Sequence, residues 1–200
     1  MTVLVRSETV TDAQLPDWVI PPPGGFTADD LDHFPDLPAH TELLDGSLVF
    51  VSPQTSFHTL MMSLLEAALR KSAPADLRIR REMSVVLSKK QRLEPDISVI
   101  RATADLGHDV TAYQATDVVL AIEVVSRDSQ IRDRERKPQI YARAGIPYFW
   151  RIEQEDAPTA YIHTLERHVG AYTTIEVRRG LFNVDVPFPI EIDLNDINKL

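Results

Sequence analysis

Val118-Val119-Leu120-Ala121-Ile122-Glu123-Val124-Val125 is apolar at every position but one, and no glycine, proline or turn residue interrupts it. A run that is apolar on both alternating faces has the pattern of a central strand covered from two sides. Its one acid, Glu123, is therefore expected inside the protein. Leu93-Glu94-Pro95-Asp96-Ile97-Ser98-Val99-Ile100 has the same apolar, β-branched character and carries Asp96 directly after a proline. An ionised carboxylate is costly to bury unless it is paired or holds a metal. Two of them in two such runs call for a compensating charge nearby.

The elements around these runs complete an α/β pattern. Thr41 to Val51 reads as a hairpin turning at Asp45-Gly46, a pair that tolerates positive φ. Leu60, Met61, Leu64, Leu65, Ala68 and Leu69 recur with helical spacing and predict a helix over about Ser56 to Lys71, with Ser56 available as its cap. Strands are expected at roughly Arg78 to Leu87 and Pro95 to Arg101, with Ser88 to Arg92 as a polar connection. Thr103 to Thr116 reads as irregular. A helix within Ile131 to Ala144 ends at Gly145 and Pro147. Strands follow over Pro147 to Ile152, Thr159 to Leu165 and Tyr172 to Arg178, the last two as an antiparallel pair. Short helices are expected at Thr27 to Phe34 and Asp193 to Leu200. The fold class implied is α/β, a mixed β-sheet flanked by helices. Pro21-Pro22-Pro23-Gly24-Gly25 reads as a spacer, so residues 1–26 are expected to be a flexible N-terminal segment and 27–200 one domain.

Composition narrows the function classes. The chain has 200 residues and no cysteine, which excludes thiol nucleophiles, thiolate zinc sites and disulfides. No apolar stretch approaches membrane-spanning length, and Met1 to Glu8 lacks the apolar core of a signal peptide. A cytoplasmic protein without membrane contact is the expectation. The net charge of −9 opposes nucleic-acid binding, since phosphate contact depends on Lys and Arg. Its distribution is uneven, however. Arg70, Lys71, Arg78, Arg80, Arg81, Lys89, Lys90 and Arg92 form one basic cluster, and Arg127, Arg132, Arg134, Arg136, Lys137 and Arg143 another. Each reads either as a solvated face or as a phosphate-binding one. No HExxH, P-loop, GxGxxG or GxSxG pattern is present.

Hydrolysing a phosphodiester requires a cation to neutralise the phosphate, an oriented water and a stabiliser for developing charge. Magnesium takes oxygen ligands, usually one or two carboxylates, and keeps several waters. Asp96 and Glu123 meet that count as metal ligands if their strands are neighbours. Lys137 is the candidate for placing water and offsetting charge. On one helix, Asp133, Lys137 and Tyr141 would share a face. Pro138 conflicts with a helix interior and is best placed in a first turn, leaving Asp133 before the helix. Glu42, at the hairpin, is a third possible acid. His58, at the start of the long helix, either faces the site or bonds a loop.

Taken in order, Glu42-Leu43-Leu44-Asp45-Gly46, Ser52-Pro53 with His58, Pro95-Asp96, Glu123-Val124-Val125-Ser126, Asp133 with Lys137 and Tyr141, and Gly145-Ile146-Pro147-Tyr148-Phe149-Trp150 resemble the Uma family, whose members are described as putative restriction endonucleases within the PD-(D/E)XK nuclease superfamily. The resemblance spans about Thr27 to Leu165. It implies a restriction-endonuclease-like core, Asp96 and Glu123 as metal ligands, Glu42 as an acid from the N-terminal element, and catalytic roles for all three with Lys137. The superfamily's usual lysine lies two residues after the second acid, where this chain has Val125. The Uma pattern places its lysine further on, at Lys137. The expectation is a Mg2+-dependent endonuclease acting on DNA, with Mn2+ as a substitute ion and a homodimer as the assembly. Two rivals remain open: a catalytically silent binding module of the same fold, and a metal-independent hydrolase using paired carboxylates.

Overall fold

The computed structural model describes residues 20–200. The expectation of a flexible segment over residues 1–19 falls outside them. Three sheets organise the described residues. A six-stranded sheet has the order β11-β10-β9-β8-β6-β3 and a five-stranded sheet the order β2-β1-β5-β4-β7, while β12 and β13 form a separate hairpin. In chain order the strands are β1 (Glu42–Leu44), β2 (Ser47–Val49), β3 (Leu77–Arg81), β4 (Ser84–Ser88), β5 (Gln91–Leu93), β6 (Ile97–Arg101), β7 (Ala112–Gln114), β8 (Val118–Val124), β9 (Tyr148–Gln154), β10 (Pro158–Glu166), β11 (Ala171–Arg179), β12 (Leu181–Val184) and β13 (Ile190–Asp193). The helices are α1 (Ser56–Ser72) and α2 (Lys137–Arg143).

β8 holds the centre that its composition demands. It pairs antiparallel with β6 and parallel with β9, so the six-stranded sheet is mixed. Parallel neighbours need a crossover, and the segment carrying α2 provides it. Leu120, Ile122 and Val124 face a core completed by Met61, Met62, Leu65 and Leu69 of α1 and by the β12-β13 hairpin. Ala121, on the opposite face, packs with Ile140 and Tyr141 of α2, Phe149, and Val85 and Leu93 of the smaller sheet. Both faces are therefore dry, which is why the strand reads as a continuous apolar run.

One expected strand, and the apolar run that carries Asp96, are each divided between the two sheets. The run from Arg78 to Leu87 leaves the larger sheet after Arg81, passes through Glu82 at φ 50°, and re-enters as β4 of the smaller sheet. Leu93 to Ile100 does the reverse, from β5 to β6 across Glu94-Pro95-Asp96. Pro95 cannot donate a ladder hydrogen bond and restricts the residue before it, so the ladder stops there. The two crossings lie side by side, joined by the Glu82 N–H donating to the Asp96 carbonyl (3.1 Å). This junction places Glu82, Glu94 and Asp96 at one seam between the sheets.

Other differences are local. Thr55, not Ser56, caps α1, its hydroxyl accepting from the His58 N–H (3.3 Å). The Thr103 to Thr116 segment contains β7, which gains order by pairing parallel to β4. The β12-β13 hairpin lies where no element was expected. Its inward residues Phe182, Val184, Ile190 and Ile192 alternate with polar ones, but the pairs are short and flank Pro187 and Pro189. Gly24-Gly25 is not a free spacer. The Lys90 ammonium donates to the carbonyls of Gly24, Gly25 and Phe26 (2.7, 2.6 and 2.9 Å), and the Phe26 N–H donates to the Gly46 carbonyl (2.8 Å).

Pro138 stands in the first turn of α2, as expected, with Lys137 as the first residue, but α2 continues a helix that began earlier. Helical structure starts at Gln130, widens to a π turn over Arg132–Arg136, and continues as α2. The Lys137 N–H reaches the carbonyl of Arg132, five residues back. The wider turn shifts the hydrogen-bond register ahead of the proline, so its missing N–H and bulky ring are accommodated. Asp133 is thus helical and not pre-helical, one turn before Lys137.

Candidate active site

The ladder between β6 and β8 sets the geometry. Ile97 pairs with Ile122, so one step beyond this pair Asp96 stands opposite Glu123. Both line a cavity of about 340 Å³ together with Glu42, His58, Asp133 and Lys137, all residues singled out from sequence. Each arrives on a different element: Glu42 from β1, His58 from the first turn of α1, Asp96 from the sheet junction, Glu123 from the end of β8, and Asp133 and Lys137 from the π turn and α2. Tyr141, one turn further along α2, reaches Glu123 with its hydroxyl.

Glu123 is 2 % exposed, and both its oxygens are engaged. Oε1 accepts from the Tyr141 hydroxyl (2.5 Å) and Oε2 from Lys137 Nζ (3.0 Å). Lys137 Nζ also lies 3.0 Å from Glu42 Oε1 and 3.6 Å from Asp133 Oδ1. Glu42 Oε1 accepts the Glu94 N–H as well (2.8 Å). One ammonium therefore serves three buried carboxylates. Burial pushes the Glu123 carboxyl well above the usual range; Lys137 opposes that, while Asp133, Asp96 and Glu42 add to it. Burial likewise raises Asp133 against the pull of Lys137. For Lys137 burial acts downward, but the surrounding carboxylates outweigh it and hold the ammonium well above its ordinary value.

Asp96 is held differently. Its Oδ2 accepts the Val124 N–H (2.5 Å), and its Oδ1 lies 3.2 Å from His58 Nε2. Burial pulls the His58 ring down, yet the attraction of Asp96 leaves its pKa above the ordinary value. At the seam, burial raises Glu94 against the opposing effect of His40, with which it forms an ion pair.

Sequence reasoning gave no site role to four charged or titratable contributors to this cavity, His40, Glu82, Glu94 and Asp128, and it named Arg132 only as a member of the second basic cluster. Glu94 stands in the stretch that drew attention to Asp96, and its flanking of Pro95 was the available signal. Glu82 becomes a lining residue only through the chain crossing, which no local pattern reveals. The expected faces of Asp133, Lys137 and Tyr141 do coincide.

The donor set suits a hard cation. Asp96 and Glu123 offer carboxylate oxygens beside the Val124 backbone, and a magnesium ion needs few protein ligands because it retains water. Among the described residues no group of three or more His, Asp or Glu side chains is placed to hold a metal ion. A two-carboxylate site completed by water is the arrangement these residues fit.

A family model described as "Uma2: Putative restriction endonuclease" matches residues 28–195. The chain belongs to the Uma2 family. The match covers the hairpin that supplies Glu42, both sheet crossings and the whole π-turn helix. A solved structure of similar fold is a putative nuclease belonging to DUF820 from Anabaena variabilis ATCC 29413, with TM-score 0.69 and 17% identity over 87% of this chain and 98% of that one. No functionally curated protein matches. The restriction-endonuclease-like α/β fold expected from the motifs is the fold observed, and the Uma2 family is nuclease-like.

Proposed function

We propose that this Uma2 protein is a Mg2+-dependent endonuclease that hydrolyses phosphodiester bonds in DNA. The observation that carries this reading is the convergence of Asp96 and Glu123 at one cavity beside a buried lysine. Seven carboxylates line that cavity: Glu42, Glu82, Glu94, Asp96, Glu123, Asp128 and Asp133. Such a surface repels a phosphodiester, so a phosphate can enter only with a cation bound there. Asp96 and Glu123 would hold Mg2+, or Mn2+ in its place. When bound, the ion supplies Lewis-acid neutralisation of the phosphate and lowers the pKa of a water.

The chain's own groups have distinct tasks. Glu42 and Lys137 form the wall facing the ligand carboxylates, where Lys137 offsets charge gained by the phosphate and orients the attacking water. Tyr141 and Asp133 fix Lys137 and Glu123 in place, and His58 fixes Asp96. We infer action in the cytoplasm; no helix among the described residues is long and apolar enough to cross a membrane. Cutting both strands favours a homodimer, which light scattering should report at twice 22.6 kDa. A mass of one chain would refute that assembly.

A second reading, a silent module of the same fold, draws on one observation. Lys137 already satisfies Glu42 and Glu123, and Val125 occupies the superfamily's usual lysine position. Incubation of supercoiled plasmid with Mg2+ or Mn2+ separates the two. The nuclease reading requires nicked or linear product that disappears with a chelator and in Asp96→Asn and Glu123→Gln. Intact plasmid under all conditions, from protein that still folds, supports the silent module.

A further inference from the structure

We propose that Arg132 forms a substrate-phosphate subsite on the wall of this cavity, receiving a non-bridging oxygen of the DNA backbone. The inference rests on the nuclease reading and adds the group that holds the strand. Two permanent cations line the cavity, Lys137 and Arg132. Lys137 is committed to three carboxylates. Arg132 forms no ion pair with any described residue, although seven acids share its cavity. Its Nε is shut off from solvent and has no hydrogen-bond partner among the described residues.

This is unusual for its surroundings. In the same π turn, Arg134 grips Glu153 and Arg136 grips Asp45. A buried N–H without an acceptor is destabilising, and no described residue is paired with this guanidinium, which leaves the group available to an acceptor that enters the cavity. Its planar fork matches two phosphate oxygens, which no lysine can imitate. The π turn explains the placement. Asp133 and Lys137 point to the buried acids, and the widened turn brings the residue before Asp133 onto the same cavity. Arg132 thus lies on the wall supplied by the helix, while the proposed ion ligands lie on the sheet edge. A phosphodiester spanning the cavity would meet the cation on one side and the guanidinium on the other.

The test is the salt dependence of duplex binding, read by fluorescence anisotropy of labelled DNA with Ca2+ present. Each phosphate contact contributes a slope of about 0.9 in log K against log salt. Arg132→Gln should lower the magnitude of the slope by about that amount and weaken binding about 10- to 100-fold. It should raise KM for cleavage far more than it lowers kcat. Arg132→Lys should keep the slope but recover only part of the affinity. The melting temperature of Arg132→Gln should match or exceed that of wild type, because an unpartnered N–H is removed; a purely structural arginine would lower it. Arg178→Gln, on β11, controls for loss of charge alone. Wild-type binding with an unchanged slope in Arg132→Gln would overturn the subsite while leaving the nuclease reading intact. Absence of any DNA binding by wild type would overturn both.

Discussion

Replacing Lys137 by methionine keeps the volume of the side chain and removes its charge. At 3.0 Å and an effective dielectric near 20, each contact with Glu42 and Glu123 contributes about 5–6 kcal/mol of attraction. Most of that only offsets the cost of taking the ions out of water. The net loss on breaking a buried pair is about 3–5 kcal/mol, because the surviving partner is left uncompensated. Here three carboxylates survive, so the upper part of that range is expected at pH 8. For a chain of this length the melting temperature should fall by roughly 6–20 °C. The loss should depend on pH in a definite direction. Glu123 and Asp133 are raised in the folded protein, so folded chains bind more protons than unfolded ones above the ordinary carboxylate range. Stability therefore falls as pH rises from that range through the folded values. Without the lysine those folded values rise further, and the defect should deepen between pH 5 and pH 8. Thermal unfolding in a chelator at both pH values measures it. Glu123→Gln in the same background should restore part of the loss, a coupling characteristic of neighbours. A Lys137→Met variant within about 1 kcal/mol of wild type at pH 8, with no pH trend, would refute the buried four-group cluster.

Two further outcomes follow from sites remote from the cavity. His163 stacks on Phe149 with ring centres 5.3 Å apart, and burial lowers its pKa to about 4. A histidine held neutral in the fold takes up its proton only on unfolding, so its penalty appears as pH falls from 6.5 toward 4, reaching about 3 kcal/mol. His163→Gln should flatten the acid limb of the stability profile there; an unaltered limb would contradict the assigned burial. Gly25 adopts φ +78°, and a Cβ on it would meet the Gly46 carbonyl oxygen at 2.7 Å. Gly25→Ala should cost about 2–3 kcal/mol, or roughly 4–12 °C in melting temperature, from left-handed strain and that clash. A neutral substitution would mean that residues 24–26 are not fastened to the hairpin.

The parts of this protein visible in its sequence are those governed by local rules. β8 is legible because burial on both faces removes polar residues from it, leaving Glu123 conspicuous. The Asp45-Gly46 turn is legible because both residues need positive φ, at 53° and 79°. The α1 stripe is legible from its period, whereas its cap shifted one residue to Thr55. The missing parts depend on distant contacts. Nothing near Glu82 announces that the chain changes sheets there, since the reason is its pairing with the equally displaced Asp96. Pro138 argued against a helix interior, and only the π turn before it reconciles the proline with a helix. Asp96 and Glu123 were legible as a pair, whereas the sharing of one ammonium by Glu42, Glu123 and Asp133 depends on β1, β8, the π turn and α2 meeting at a sheet edge.

Binding of Mn2+, followed by its electron paramagnetic resonance signal, tests most directly whether that sheet edge holds a cation. Wild type should bind a single ion per chain at the cavity, displaced by excess Mg2+. Asp96→Asn and Glu123→Gln should each lose it, and Arg178→Gln should retain it. Equal Mn2+ binding by wild type and both carboxylate variants, or none by wild type, would contradict the account.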